Sequence, residues 1–411
     1  MSYFTYSNNS LQAEDIEIQR IVETKTTPFY CYSKKAIINN YNNFKNSFSE
    51  INAKICFSLK SNSNLSILNI LSDLGTGADV VSGGELKKAL KARINSGDII
   101  FSGVGKTEEE IIFAIQNNCY QINAESINEL KKIDDISGKL GIKQKTALRI
   151  NPDVNPNTHE KITTGMLENK FGISLNDAFD IYTSSKEYKN INLDGIAFHI
   201  GSNINELKPF EESFKIVQKF LKNLSSSNIQ TIDVGGGIGI DNNDFKFSDY
   251  CNLIKKYFDT TNQEIILEPG RLITCNTGIL VSKVLYIKKN AGKKFIIIDA
   301  GMNDMMRTAL YNSEHEILPV KQKELKESMP TEIVGPICET SDKFVSSNEY
   351  FQIEEGEYLA ILNTGAYGST MSSNYNARPF LEEIMIDGNR FHTIRNRQNF
   401  DDMIKDEVEI D

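Results

Sequence analysis

Long apolar runs are missing from this chain of 411 residues. No stretch approaches the roughly 18–20 apolar residues that a membrane-spanning helix needs, so no transmembrane helix and no membrane partner are expected. Positive charge is also short. Forty-five Lys and Arg against 55 Asp and Glu leave a formal charge of −10, which speaks against a nucleic-acid groove or an anionic membrane surface. The 6 cysteines (Cys31, Cys56, Cys119, Cys251, Cys275, Cys338) form no C-x-x-C pair, and the 4 histidines (His159, His199, His315, His392) show no ligand spacing. They argue for reduced thiols in a cytoplasmic protein, not a disulfide framework or a zinc site, and no metal is expected. Met1–Ser10 lacks a basic region followed by an apolar one, so no signal peptide is expected. There is no internal repeat and no low-complexity tract.

What is present is a regular alternation. Short apolar strands are predicted near Lys54–Leu59, Ala78–Val81, Ile99–Ser102, Gln121–Ala124, Thr146–Ile150, Gly195–His199, Thr231–Val234 and Glu264–Leu267. Segments with helical periodicity lie between them: Gly84–Ala92, Thr107–Asn117, Ser126–Ser137 and Leu207–Asn223. Eight strands with crossovers, over about 250 residues, predict an α/β fold, a (β/α)8 TIM barrel spanning 33–275. An open doubly wound sheet would need a glycine-rich fingerprint after the first strand, and none is there. Beyond Cys275 the texture changes to short strand-like runs (Leu280–Lys288, Lys294–Ala300, Glu332–Ile337, Tyr358–Leu362, Phe391–Arg395). They predict an all-β barrel or sandwich domain over 276–411. Residues 1–32, with a helix expected over Leu11–Glu23 and a strand over Phe29–Tyr32, are placed with it.

Several strand ends carry chemistry. Lys60 ends the first predicted strand, and an unpaired buried ammonium is costly. It admits two readings, an ion pair with a carboxylate or a Schiff base to pyridoxal phosphate (PLP). His199-Ile200-Gly201-Ser202 follows the sixth strand and is either a satisfied structural histidine or an imidazole stacked on a ring. Asp233-Val234-Gly235-Gly236-Gly237 follows the seventh; it is a sharp turn or a phosphate cradle, and loops after strands seven and eight are the usual phosphate site of such barrels. Glu268-Pro269-Gly270-Arg271 follows the eighth, either a surface ion pair or a carboxylate and a guanidinium fork for a cofactor. Ser102–Thr107 fails as a P-loop, since Ile100 stands where the motif needs glycine; a turn and helix start suffices. Cys338 stands beside Glu339 and near Asp342, where negative charge disfavours a thiolate nucleophile and suits a proton donor.

Taken together, nearly the whole chain resembles the diaminopimelate decarboxylases, PLP enzymes of the alanine racemase-like fold type. The marks are Phe57-Ser58-Leu59-Lys60-Ser61-Asn62; Ala78-Asp79 through Glu85-Leu86; Arg149-Ile150-Asn151-Pro152-Asp153-Val154; and His159, Thr163-Thr164-Gly165 and Lys170-Phe171-Gly172-Ile173. The stretches after strands six to eight, Met302–Tyr311, Gly335–Asp342 and Gly365–Gly368 complete them. The resemblance implies PLP as cofactor, with Lys60 as its covalent anchor, Asp79 on the cofactor side and His199 on the ring. Ser202, Gly235, Gly236, Gly237, Gly270 and Arg271 are implied for the phosphate side, and Glu268 for the ring nitrogen. Arg271, Arg307 and Tyr311 would hold the distal end of meso-diaminopimelate. Glu339 would take its distal amine, and Tyr367 cofactor or substrate. Cys338 would supply the proton that replaces the carboxylate. The resemblance also implies an obligate homodimer in which Cys338 and Glu339 serve the partner chain. One departure is visible: the family usually has proline after Arg307, and this chain has Thr308.

The expected activity is therefore decarboxylation of meso-diaminopimelate at its D-centre to L-lysine and carbon dioxide, the last step of lysine synthesis. A sibling decarboxylase of a polyamine precursor such as carboxynorspermidine is the nearest alternative. A non-catalytic PLP-binding regulator is the alternative from another class.

Overall fold

The structure, a computed structural model, describes residues 3–156, 169–224, 229–240 and 245–410. The chain divides into two compact units, Asn40–Ile273 and Met1–Asn39 with Thr274–Asp411; the division falls inside the helix Lys34–Ser47.

The first unit holds a closed barrel of eight parallel strands in sequential order: Ala53–Ser58, Gly77–Val80, Ile99–Phe101, Gln121–Ala124, Gln144–Arg149, Ile191–Ala197, Thr231–Asp233 and Glu264–Leu267. Closure comes from Ile265–Leu267 pairing in parallel with Ala53–Ile55. The strands are short and mostly buried, as parallel strands covered on both faces must be. The sixth begins earlier than its apolar pattern suggests. Its register slips between Leu193 and Gly195, so the alternation breaks there.

Several of the crossover helices start on a side-chain cap. Ser82, Thr107, Ser126 and Ser174 each accept an N–H of the first turn, and Thr107 forms a reciprocal box with Glu110. The helix Leu207–Asn223 buries Phe210, Phe214, Val217 and Phe220 at helical spacing. Phe210 and Phe214 meet Tyr250 at ring-centroid distances of 4.9 and 5.9 Å. Truncating one such ring would cost about 3–5 kcal/mol.

The second unit is built on a sheet whose path runs Lys343–Ser347, Thr331–Val334, Lys293–Ile298, Gly278–Asn290, Phe29–Ser33, Glu382–Asp387 and Arg390–Arg395. The strand Phe29–Ser33 is thus central, antiparallel to Gly278–Val281 and parallel to Glu382–Ile386. Its core gathers Leu11, Ile16, Ile21, Phe29, Ile279, Val281, Ile384 and Ile386. The helix expected over Leu11–Glu23 is corrected. Ser10–Ala13 and Ile16–Glu17 are paired strands, and only Ile18–Val22 is helical. The reversal sits at Glu14, in the left-handed region at φ 54°. Its carboxylate accepts from Ser33 Oγ (2.7 Å), Lys35 N (3.0 Å) and Gly388 N (2.6 Å). These tertiary bonds offset a conformation that local propensity opposes.

No helix among the described residues is long and apolar enough to cross a membrane.

Candidate active site

The C-terminal ends of the barrel strands bring most of the expected groups together. Lys60 lies in the single turn Leu59–Ser61 after the first strand. Its Nζ is 3.1 Å from Asp79 Oδ2, in the second strand. Asp79 is fully buried while the Lys60 side chain is 40% exposed, so the amine stays reachable. Ser58 Oγ also donates to Asp79 Oδ2, at 2.8 Å. Asp79 Oδ1 is buried with no hydrogen-bond partner among the described residues. The ion-pair reading of Lys60 is therefore present, and it leaves an orphaned carboxylate oxygen that one lysine does not satisfy.

His199, half-buried after the sixth strand, accepts the Gly236 N–H on Nδ1 at 3.3 Å. Burial first, then the charges of Lys60 and Arg149, hold its pKa well below the usual histidine range. It is a neutral imidazole with its proton on Nε2. The glycine run follows the seventh strand. Gly235 and Gly237 have φ of +67° and +101°, and a Cβ on Gly237 would stand 2.2 Å from the Gly201 carbonyl oxygen. A Cβ on Gly236 would stand 2.1 Å from the Glu268 carbonyl oxygen. Three loops thus touch through bare backbone. Arg271 Nη2 reaches Ser202 Oγ at 3.3 Å, and Gly270 packs between Ser58 and Ser61.

Glu268 and Asp233 are both buried, at the ends of adjacent strands. Burial, then the charges of Asp233 and Asp79, push Glu268 well above the carboxylate range. Ser58 Oγ is 3.1 Å from the Glu268 carbonyl oxygen, which ties the eighth strand to the first.

Residues without an expected role join this face. Arg149, ending the fifth strand, donates to Glu125 Oε1 at 2.8 Å. Glu125 also accepts from Gly103 N and Gly172 N, each at 3.1 Å. Asn123 Nδ2 donates to Asp233 Oδ2 (3.0 Å) and Ser102 Oγ (3.1 Å). Glu125 and Asn123 had only their position near a strand end as a signal in the sequence, and Arg149 its place in a family mark with no role given. Lys106, in the rejected P-loop, is consumed structurally. It donates to Gly103 O, Asn123 O and Glu129 Oε1 at 2.7, 2.8 and 2.8 Å. His159 and Thr163–Gly165 lie outside the described residues.

In the second unit, Arg307 opens the short helix Arg307–Tyr311. Its guanidinium stands over the rings of Tyr311 (5.4 Å) and Tyr367 (5.7 Å). Tyr367 is held at φ +56°, a costly conformation for a tyrosine. Asp342 accepts from Met302 N and Ile337 N, both at 2.7 Å, so one carboxylate joins the loop before Arg307 to the loop carrying Cys338. Cys338 and Glu339 are exposed. Asn376 Oδ1 accepts from Cys338 N (3.1 Å), and Glu339 Oε1 accepts from Tyr375 OH (2.6 Å).

Residues 34–275 match the family of the pyridoxal-dependent decarboxylase, pyridoxal-binding domain, which sets the class of the barrel. Relatives match over the full length. The chain is 41% identical over 409 residues to diaminopimelate decarboxylase of Haemophilus influenzae, covering 98% of each chain. It is 39% identical to that of Aquifex aeolicus, covering 99% of this chain and 98% of the relative. Among solved structures, a diaminopimelate decarboxylase of Helicobacter pylori complexed with L-lysine superposes with a TM-score of 0.90 at 40% identity, covering 95% and 98% of the two chains. One from M. jannaschii in co-complex with L-lysine gives 0.92 at 36%, covering 99% and 98%. The chain belongs to the diaminopimelate decarboxylases within the pyridoxal-dependent decarboxylases.

The barrel face fits that family's cofactor. The orphaned Asp79 oxygen, the bare backbone at Gly235–Gly237, the Ser202–Arg271 pair and the reachable Lys60 amine fit a phosphorylated aldehyde with a ring nitrogen.

Proposed function

We propose that the chain decarboxylates meso-2,6-diaminopimelate at its D-centre, giving L-lysine and carbon dioxide as the last step of lysine synthesis. The observation that carries this reading is Lys60 beside buried Asp79 at the barrel's strand ends, in a chain whose relatives of this activity match it end to end.

Lys60 would hold PLP covalently through its reachable amine. Gly235, Gly236, Gly237 and Gly270 would let the phosphate approach bare backbone, and Ser202 and Arg271 would hold it with a hydroxyl and a guanidinium. His199, neutral, would stand beside the ring without adding charge. Glu268 would serve the ring nitrogen, and Asp79 orients the Lys60 amine. Bound there, the cofactor supplies a conjugated ring that accepts the electron pair left on the α-carbon as carbon dioxide departs. Cys338 gives its thiol proton to that carbon. Arg271, Arg307 and Tyr311 hold the distal carboxylate, Glu339 holds the distal amine, and Tyr367 lies against cofactor or substrate. A substrate lacking either distal group leaves these partners unpaired, which is how the site rejects it.

The working form is a homodimer in which Cys338 and Glu339 serve the partner subunit's barrel; their exposure on each chain supports this reading. Five buried free thiols suit a reducing compartment, and we place the enzyme in the cytoplasm.

The test is carbon dioxide release from meso-diaminopimelate, ornithine and carboxynorspermidine. Release from the first alone is expected, and Lys60→Ala should lose both turnover and the absorbance of the lysine-bound cofactor. Turnover of carboxynorspermidine in preference would move the chain to the polyamine branch. Cofactor binding without turnover of any of them would make it a regulator.

A further inference from the structure

Two buried carboxyls side by side cannot both carry charge cheaply, and Asp233 and Glu268 are buried at the ends of adjacent strands, with the Glu268 N–H on the Gly235 carbonyl at 2.9 Å and Asn123 and Ser102 linking the two side chains. The surrounding amides show which of the two is ionised. Asp233 Oδ1 accepts the Gly235 N–H at 2.9 Å, and Asp233 Oδ2 accepts Asn123 Nδ2 at 3.0 Å. The orientation of Asn123 is set from the far side of the barrel. Gln121 Nε2 donates to Asn123 Oδ1 at 2.8 Å, and Thr231 Oγ1 donates to Gln121 Oε1 at 2.8 Å. Every donor in this chain points towards Asp233, and two independent N–H groups stabilise its anion. Glu268 has no N–H donor among the hydrogen bonds described; Ser102 Oγ lies 3.5 Å from its Oε1. The neighbouring charges are Asp79 and Lys60.

We propose that Asp233 is a positioning residue that keeps Glu268 protonated in the cofactor-free site, so that Glu268 arrives at the ring nitrogen carrying the proton that nitrogen needs. The transfer balances. The Glu268 O–H bond breaks, an N–H bond forms on the ring nitrogen, and the electron pair stays on the Glu268 carboxylate. No proton enters from solvent, and the buried cluster gains no net charge. The direction of the Glu268 pKa agrees, raised by burial and by the charge of Asp233. The proposal rests on Glu268 facing the ring nitrogen, not on which amino acid is decarboxylated.

Infrared spectra of apoenzyme, made by stripping PLP from the purified protein, test it directly. Wild type should show the C=O stretch of a protonated buried carboxyl. That band should be absent in Glu268→Gln, lost in Asp233→Asn, and lost in wild type when PLP is restored. A wild-type apoenzyme without the band, or an Asp233→Asn apoenzyme that keeps it, overturns the proposal. Binding supplies a second readout: Asp233→Asn should weaken PLP by about tenfold. The same variant should leave the affinity for the analogue with carbon in place of the ring nitrogen unchanged. Equal losses for both ligands would mean that Asp233 only props up the fold. Asn123→Ala, which removes one donor and no charge, should shift both readouts in the same direction by less, and keeps the test available should Asp233→Asn fold poorly.

Discussion

On the barrel face, Asp79, Asp233 and Glu268 are buried carboxyls; Asp79 is bonded from the adjacent strand and Asp233 from across the barrel. In the second unit, Cys338 and Glu339 are exposed, and their loop is fastened mainly by Asp342. Burying a carboxyl is expensive unless its charge is met, so the barrel keeps a set of groups whose cost is relieved by what binds there. An exposed thiol costs little, and its use depends on where its loop is held. Barrel residues are therefore expected to govern cofactor binding, and second-unit residues to govern what happens to substrate.

The sharpest break of that division is Cys338→Ser. We expect kcat to fall on the order of 10²–10³-fold with cofactor affinity and absorbance unchanged; loss of cofactor from this variant would erase the distinction. Arg307→Lys keeps the charge but loses the planar fork and its stacking on Tyr311 and Tyr367. KM for diaminopimelate should rise about tenfold with a smaller change in kcat, and an unchanged KM would remove Arg307 from the substrate clamp.

Asp304 tests the contrast from the other side, as a buried carboxyl with no assigned chemistry. Burial pushes it up to about 6, opposed by the Gly301 N–H. The folded state thus holds its proton more tightly than the unfolded chain. Its stabilising contribution is full below about pH 4 and is lost as pH rises to about 6. Relative to Asp304→Asn, the wild type should lose on the order of 1 kcal/mol of stability across that window. Parallel melting curves for the two would refute this, and turnover should be the same in both. The smallest effect is expected for Thr308→Pro. Thr308 is in the first turn of Arg307–Tyr311, where proline is tolerated and stiffens the backbone. KM should drop by roughly twofold, and an unchanged value would mean that Arg307 is already fully positioned.

The barrel was legible in the sequence because its strands are covered on both faces and read as apolar runs between capped helices. Gln121–Ala124 and Glu264–Leu267 fall where the pattern puts them. Lys60, His199 and the glycine run were legible as residues at strand ends. What joins them was not. Asn123 bonding Asp233, or Glu125 receiving Arg149, Gly103 and Gly172, depends on which strand ends face one another across the closed barrel. In the second unit, Glu382–Asp387 escaped notice because it opens on two glutamates. Glu383 is buried there only because Tyr32 OH and Arg395 Nη1 meet it, at 2.8 and 3.2 Å. The Leu11–Glu23 segment misled because its apolar spacing suits a helix, while Glu14 is bound by residues distant in the chain.

The strand Phe29–Ser33 lies between Gly278–Asn290 and Glu382–Asp387. This placement orders events during synthesis. The barrel segment Asn40–Ile273 is continuous and has all its strands once it leaves the ribosome. Phe29–Ser33 is made before the barrel segment and receives its last neighbour, Glu382–Asp387, only after it. At roughly 5–20 residues per second it waits some tens of seconds with an apolar edge open. That nascent strand, not the barrel, is where a chaperone would have the longest opportunity to bind.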